Sequence, residues 1–580
     1  MGGAGYGPTQ PISIEIQQEK HRQPSESFRE AMGRQASTLT DSEVHYKGFM
    51  SAIENMRFLP AGRIQAAIGS TRKVTPYNCF VSQTIDDSMA GIMDTATRAA
   101  MTMRMGGGIG YDFSTLRPRL DTITSLMAPS SGPVSFMSIF DAICGTISSA
   151  GNRRGAQMGT LRVDHPNIEE FIRSKQNTTN LRNFNISIAI TDKFMKAVID
   201  DSDFDLKFEG RVYSTIRALP LWKAIMASTW DWAEPGVLFI DRINDDNNLR
   251  YAETIAATNP CAEQPLPPNG ACLLGSFNLV KYITGIPGIY AFDWDQLCRD
   301  IPFVVRAMDN VIDNAIYPLP EQEAEALAKR RMGLGVTGVA NALEALGLPY
   351  GSKGFVEFLE KVLKLILNET YWISSWIARD KGAFPLFDFD EFSKTTIFNK
   401  LYPYVQDNIR QFGLRNSHLT SIAPTGSISL AADNVSSGIE PVFALKYTRD
   451  VLQLDKTLKK ETVYDYGMRV FGVKGKTAAE CTIDDHLDVL LASQKWVDSA
   501  VSKTCNIGDD VTFNEFTNVY MKAWRGGAKG CTTFRASGKR MGILNVSEST
   551  SEDIPDIRDG DEEGTQCFID PSTGRKTCDE

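Results

Sequence analysis

The 580-residue chain predicts an α/β fold with parallel strands, on three observations. Helical-period stretches alternate with short β-branched runs over most of its length, the pattern that strand-helix-strand units produce. A composition 42% hydrophobic and 23% charged supplies enough apolar surface for a large core or for more than one. Dense apolar patterning begins at Phe58 and gives way after residue 545 to an acidic, Ser-rich stretch. The chain therefore divides into an N-terminal segment 1–57, a core region 58–545 and a mobile tail 546–580.

Taken in order, the N-terminal segment is polar and mixed, with one helical stretch from Glu43 to Met56. PYNCFVSQ, which contains Cys79, reads as a short extended run, and DDSMAGIMDTATRAAMTM (86–103) reads as a helix. MGGGIGYDFS (105–114) follows that helix, the reverse of the strand-to-helix order of a dinucleotide fingerprint. It reads as a loop that lets another backbone approach. NISIAI (185–190), GVLFI (236–240) and LTSIA (419–423) are strand candidates, and PLWKAIMASTWDWA (220–233) is a further helix. RRMGLGVTG (330–338) reads as a site of close packing, and His486 in DDHLDV as a surface histidine on a helix.

The run from Asn259 to Leu279, NPCAEQPLPPNGACLLGSFNL, carries the densest chemistry. Prolines at 260, 265, 267 and 268 exclude a helix and most ladder hydrogen bonds, so Cys261 is expected on a stiff loop. An extended backbone there would point the amide of Asn259, the thiol of Cys261 and the carboxylate of Glu263 the same way. Cys272 follows in an extended segment. In SIAPTGSISL (421–430) a strand-like run ends at Pro424, and the turn Thr425, Gly426, Ser427, Ile428, Ser429 offers backbone N–H groups and hydroxyls suited to a phosphate.

Composition excludes several classes. A net charge of −10 argues against a nucleic-acid binder, and no apolar run approaches the roughly 18–20 residues of a membrane-spanning helix. The N-terminus lacks the pattern of a secretion signal. Ten scattered cysteines are too few for a secreted disulfide scaffold and fit a reducing cytoplasm; five separated histidines without a CxxC pair give no metal site.

Together these segments resemble the ribonucleotide reductases, and closely the bacterial and phage adenosylcobalamin-dependent class II enzymes. The resemblance is carried by FLPAGRIQAAIGS (58–70), YNCFV, DDSMAGI, GGGIGYDFSTLRP, AGNRRGAQM (150–158), EPGVLFIDRIN, NPCAEQPLPPNGACLLGSFNL, MGLGVTG, SIAPTGSISL, SSGIEPVF (436–443) and KGCTTFR (529–535). It implies a ten-stranded α/β barrel of two five-stranded halves, with a central finger loop bearing the radical cysteine. It implies that Cys261 becomes a thiyl radical and abstracts the ribose 3′-hydrogen, that Glu263 is the general base for the 3′-hydroxyl, and that Asn259 hydrogen-bonds the sugar. Cys79 and Cys272 would protonate the departing 2′-hydroxyl and supply two electrons by forming a disulfide. Cys567 and Cys578 would be the tail thiols that reduce that disulfide, themselves served by a thioredoxin- or glutaredoxin-like protein.

The resemblance further implies a homodimer, with deoxynucleotide or ATP effectors at Asp87 and Ser88 and the loop 151–158 relaying to the substrate. Adenosylcobalamin is the implied radical source, because the chain has neither the adjacent tyrosines of a class I large subunit nor a glycyl-radical motif. The N-terminal segment is too short for an ATP-cone. The family commonly has glycine where this chain has Ala262. Two alternatives stand beside this reading: a class I-like large subunit needing a separate radical-generating subunit, and a non-catalytic nucleotide-binding regulator.

Overall fold

The computed structural model describes residues 6–124, 126–147, 156–176, 180–452, 458–539, 568–570 and 575–577. Ten strands join in one sheet: β1 Phe58–Pro60, β2 Cys79–Val81, β3 Gly108–Asp112, β4 Gln157–Arg162, β5 Phe184–Ile190, β6 Gly236–Phe239, β7 Ala271–Asn278, β8 Met332–Thr337, β9 Thr504–Ile507 and β10 Gly530–Arg535. Their order is β1-β7-β2-β3-β4-β5-β6-β10-β9, with β8 also paired to β7. Strands β2 to β6 are parallel in succession, as are β7 with β8 and β9 with β10. The sheet turns antiparallel where β7 meets β1 and β2 and where β6 meets β10. The parallel expectation thus holds within blocks and fails at their junctions.

The parallel steps follow from the crossovers between strands. The helix Met89–Arg104, for example, returns the chain from β2 to β3 in the same direction. Strands covered on both faces lose the alternation of a half-exposed sheet, and every residue of β7 and β8 is buried. LTSIA does not form a continuous strand. It makes single bridges, Leu334 to Thr420 and Ile422 to Val501, before Pro424 removes the next donor. Those bridges nevertheless tie β8 to the chain just ahead of β9, through Leu334 N to Leu419 O at 2.8 Å and Ile422 N to Ala500 O at 3.2 Å.

Three expectations about individual segments are corrected. MGGGIGYDFS contributes strand β3 rather than a loop, although its glycines do admit another backbone, as described below. The N-terminal segment holds helices Pro11–Ile16 and Phe28–Leu39 as well as the expected one, Glu43–Glu54. The Phe28–Leu39 helix opens with a capping box in which Ser27 and Glu30 satisfy each other's backbone N–H groups, a signal present in the sequence. The segment docks on the core through Ser13 Oγ to Leu430 O at 2.6 Å and Gln10 N to Asp433 Oδ1 at 2.8 Å. Finally, His486 lies on the helix Ile483–Lys495 as expected, but it is fully buried.

Among the described residues no helix is long and apolar enough to cross a membrane. Of the tail, the strands Phe568–Asp570 and Arg575–Thr577 pair antiparallel. Cys567, Cys578 and residues 151–155 of the relay loop lie outside the described residues.

Candidate active site

The proline-rich run folds as a miniature hairpin. Ala257–Thr258 pairs with Pro265–Leu266, and residues 259–264 turn at its tip. Asn259 closes that turn three times: its N–H donates to Gln264 O at 3.1 Å, its Oδ1 accepts from Gln264 N at 2.9 Å, and its O accepts from Ala262 N at 3.0 Å. Ala262 takes a left-handed conformation at φ +64°. The extended backbone expected from Asn259 to Glu263 is therefore replaced by a tight turn. The side chains of Asn259 and Glu263 meet at Cys79 because the chain folds back, not because they alternate along a strand. The left-handed angle also explains why glycine suits position 262.

The hairpin is clamped from several strands. A Cβ at Gly110 in β3 would overlap Thr258 O, so the close approach requires glycine there. Asn185 in β5 donates Nδ2 to Pro260 O at 2.9 Å. Glu263 O accepts from Ser421 Oγ at 2.9 Å and from Ala500 N at 3.1 Å. Sequence reading missed Asn185 and Ser421 as supports. Ser421 opens the SIAPTGSISL motif, whose phosphate-like chemistry lies after Pro424, and nothing in the sequence marks Asn185.

Cys79 and Cys272 are direct cross-strand partners in β2 and β7. Opposed antiparallel residues place their Cα atoms about 4.5–5.5 Å apart, within the span of a disulfide. Both thiols are free and buried. Cys79 Sγ accepts from Asn259 Nδ2 at 3.2 Å and donates toward Glu263 Oε1 at 3.8 Å. Burial first, and the Glu263 carboxylate second, push the Cys79 thiol well above its ordinary range, so it carries its proton. Burial raises Cys272 as well, but there the largest charge effect is that of the Arg331 guanidinium, which opposes the rise.

Cys261 is half-buried and faces a cavity of about 490 Å³. Val237, Leu238, Val442 and Phe443 are among its apolar lining, and Glu234, Glu440, Asp465, Lys503 and Asp509 carry its charge. Lys503 pairs with Glu440 and donates to Thr504 O and His486 Nδ1, each at 2.8 Å. Burial and the Lys503 cation push the His486 imidazole down to about 2. His486 is thus a neutral core acceptor behind the cavity wall, and the surface assignment is wrong because Lys503 supplies it a buried partner.

The 425–429 segment is the start of a short helix, Gly426–Ala431, with Thr425 left-handed at φ +57°. Its members divide in role. The hydroxyls of Thr425 and Ser429 are buried in a network with Thr337, at 2.7–2.9 Å. Ile428 is buried, Ser427 is exposed, and Gly426 lines the same cavity as Cys261. Asp87 and Ser88 stand apart at the N-terminus of the Met89–Arg104 helix, where Ser88 Oγ caps Gly91 N at 3.0 Å and Asp87 pairs with Arg117 at 2.6 Å.

The structure thus brings Asn259, Cys261, Glu263, Cys79 and Cys272 into one neighbourhood: a mixed α/β sheet around a hairpin with three thiols and a carboxylate. The chain belongs to the ribonucleotide reductase family, whose barrel-domain model matches residues 77–534. Within that family it is similar to a vitamin B12-dependent ribonucleoside-diphosphate reductase of Mycobacterium tuberculosis, 34% identical over 90% of this chain and 76% of the relative. It is similar to a vitamin B12-dependent ribonucleoside-diphosphate reductase of Thermoplasma acidophilum, 35% identical over 82% of this chain and 63% of the relative. The large subunit of the vaccinia virus ribonucleoside-diphosphate reductase is 30% identical over 65% of this chain and 54% of its own.

Proposed function

We infer that the chain reduces ribonucleotides, as diphosphates, to 2′-deoxyribonucleotides by thiyl-radical chemistry with adenosylcobalamin as cofactor. The observation that carries this reading is the pairing of Cys79 opposite Cys272, with Asn259 and Glu263 bonded to Cys79 and Cys261 on the same hairpin. The names of the relatives support the diphosphate and the cofactor.

The residues present fit that cofactor: the cavity beside Cys261 is largely apolar and large enough for its reactive end. Val237, Leu238, Val442 and Phe443 would hold it there, and when bound it supplies the initiating radical. The chain's own groups do the rest. Cys261, as the thiyl, takes the 3′-hydrogen of the ribose, and Glu263 accepts the 3′-hydroxyl proton. Cys79, kept protonated, gives its proton to the departing 2′-hydroxyl, which leaves as water. Cys79 and Cys272 then close a disulfide whose two electrons, with the second thiol proton, reduce C2′, after which Glu263 gives back the 3′-hydroxyl proton and Cys261 the 3′-hydrogen. Asn259 holds the sugar hydroxyl while fixing the turn. The Gly426, Ser427 and Ile428 N–H groups, with Thr425 at the head of the turn, bind the substrate phosphates, while Ser429 braces the turn by donating its N–H to Thr425 O at 2.8 Å; Gly426 lies nearest the cavity.

On the same reading the sheet closes as a barrel of two five-stranded halves, with the 419–422 bridges completing the circuit. Region 58–545 is the catalytic unit, 1–57 a helical segment docked on it, and the tail 546–580 carries Cys567 and Cys578 as reductants of the Cys79–Cys272 disulfide, recharged by a thioredoxin- or glutaredoxin-like protein in the cytoplasm. Effectors bind at Asp87 and Ser88 between two copies of the chain. A homodimer is supported by Met89, Met93 and Met101, which stand exposed along one face of the Met89–Arg104 helix.

The test is purified chain with a ribonucleoside diphosphate, a deoxynucleotide effector and dithiothreitol, assayed for deoxynucleotide with and without adenosylcobalamin. Product is expected only with the cofactor and with no second protein. Product that instead requires a separate metal-containing subunit would replace this reading with the class I-like one, and effector binding without turnover would favour the regulator.

A further inference from the structure

Cys272 has an unlike neighbour on each side. Cys79 is its partner across the β2–β7 ladder, and β8 runs along the other edge of β7 with Leu273 opposite Met332. Continued by one residue, that register sets Arg331 opposite Cys272. Arg331 is almost fully buried, with side-chain exposure of 2%. It pairs with Glu253, reaches Glu325 at 3.4 Å and donates Nε to His418 Nδ1 at 3.3 Å. Lys329 completes the cluster at 2.9 Å from both carboxylates, so the two cations and two carboxylates balance.

The two thiols therefore have foremost charged neighbours of opposite sign, Glu263 Oε1 at 3.8 Å from Cys79 Sγ and Arg331 beside Cys272 in the β7–β8 register. The strongest charge acting on Cys79 is the Glu263 carboxylate, which disfavours its thiolate. The strongest single charge acting on Cys272 is the Arg331 guanidinium, which favours its thiolate; Asp498, Glu263 and Glu325 each act against it, each singly with smaller effect. In thiol–disulfide exchange the sulfur that leaves as the better-stabilised thiolate leaves faster, and attack falls on the other sulfur.

We propose that Arg331 is a positioning residue that gives the Cys79–Cys272 disulfide a direction: an incoming thiolate bonds to Cys79 Sγ, and Cys272 Sγ leaves as the thiolate beside Arg331. The S–S bond breaks, its electron pair goes to Cys272, and a mixed disulfide forms at Cys79. The second thiol of a dithiol reductant attacks that mixed disulfide, is oxidised with its partner, and releases Cys79. The two protons of the dithiol end on Cys79 and Cys272. The proposal rests on the reading of Cys79 and Cys272 as the reducing pair.

The experiment uses the full chain with Cys567→Ser and Cys578→Ser, oxidised with diamide. A brief challenge with 2-mercaptoethanol, acid quenching and peptide mass mapping locate the adduct. Adduct on Cys79 over Cys272 by about ten to one is expected, the ratio that a difference of about 1.4 kcal/mol between the two barriers gives. Arg331→Met combined with Glu253→Gln removes one cation and one carboxylate together, leaving no bare buried carboxylate, and should bring the ratio near unity. Arg331→Lys should keep the preference for Cys79. Adduct chiefly on Cys272 in the otherwise wild-type chain overturns the proposal without recourse to any Arg331 variant. An unchanged ratio in the Arg331→Met, Glu253→Gln chain overturns it by assigning the preference to access alone. If diamide forms no Cys79–Cys272 disulfide, the reducing-pair reading falls and the proposal with it; if the disulfide forms but reacts without preference, only the proposal falls.

Discussion

Cys79 and Cys272 are held by a sheet, whereas Cys261, on the next hairpin, is held by a turn. The strand ladder fixes the first two relative to each other, which is what a reversible disulfide needs, and it buries both. The turn gives no ladder partner to Cys261 and leaves it half-buried against a cavity, which is what a thiol needs if it must meet two different reaction partners. On the proposed function, regular structure serves the pair that reacts with itself, and irregular structure serves the thiol that reacts outward. Rigidity in the turn comes from the three Asn259 bonds within it and, from outside, from the close fit at Gly110 and the bonds of Asn185, Ser421 and Ala500.

The contrast can be broken most severely at the thiols. Cys261→Ser is expected to lower deoxynucleotide formation by more than about a thousandfold while nucleotide affinity, measured by equilibrium dialysis, is retained. Cys272→Ser should instead abolish repeated turnover. In the wild-type chain, one turnover without added reductant should consume two thiols by titration. Retained turnover in Cys261→Ser would remove the division of labour altogether.

The next largest effect falls on the outside support. Gly110→Ala pushes a methyl against Thr258 O and should cost about 1–3 kcal/mol, read as a lower midpoint in thermal or urea unfolding. A midpoint equal to wild type would mean the hairpin yields easily. Ser421→Ala removes one of the two bonds to Glu263 O and should cost about 1 kcal/mol, with a larger proportional loss in kcat than in substrate affinity. The smallest change is a gain: Ala262→Gly relieves a left-handed alanine and should stabilise the chain by about 0.5 kcal/mol after the added unfolded-state freedom is offset. Destabilisation there would show that the methyl packs usefully.

Much of this was legible in the sequence because it depends on local chemistry. Strands β5 and β6 and the Met89–Arg104 helix lie where periodicity places them, and the stiffness of the 259–268 run follows from its prolines. The hairpin itself was not legible, since it turns on a left-handed Ala262 where alternation predicts an extended chain. Nor was the role of the glycines in MGGGIGYDFS as strand residues, because glycine is read as a breaker until a neighbouring backbone is known to need its space. His486 misled for a similar reason: its buried partner, Lys503, is distant along the chain, and a lone histidine among aspartates looks solvated. Of the candidate site residues, Asn259, Cys261 and Glu263 stand out by their chemistry and Cys79 and Cys272 through the resemblance, while the supports at Asn185 and Ser421 are ordinary polar residues whose importance comes only from the fold.

The approach of β3 to the hairpin also bears on how such a chain can drift. What excludes a side chain at Gly110 is a main-chain oxygen, that of Thr258, and every amino acid carries that oxygen. No substitution within the hairpin can therefore make room, and a lineage that loses this glycine has no second-site suppressor at residue 258 to find. Gly335 stands in the same relation to the carbonyl of Ser421. Position 262, by contrast, is strained only by its own methyl and can move between alanine and glycine without waiting for any other residue to change.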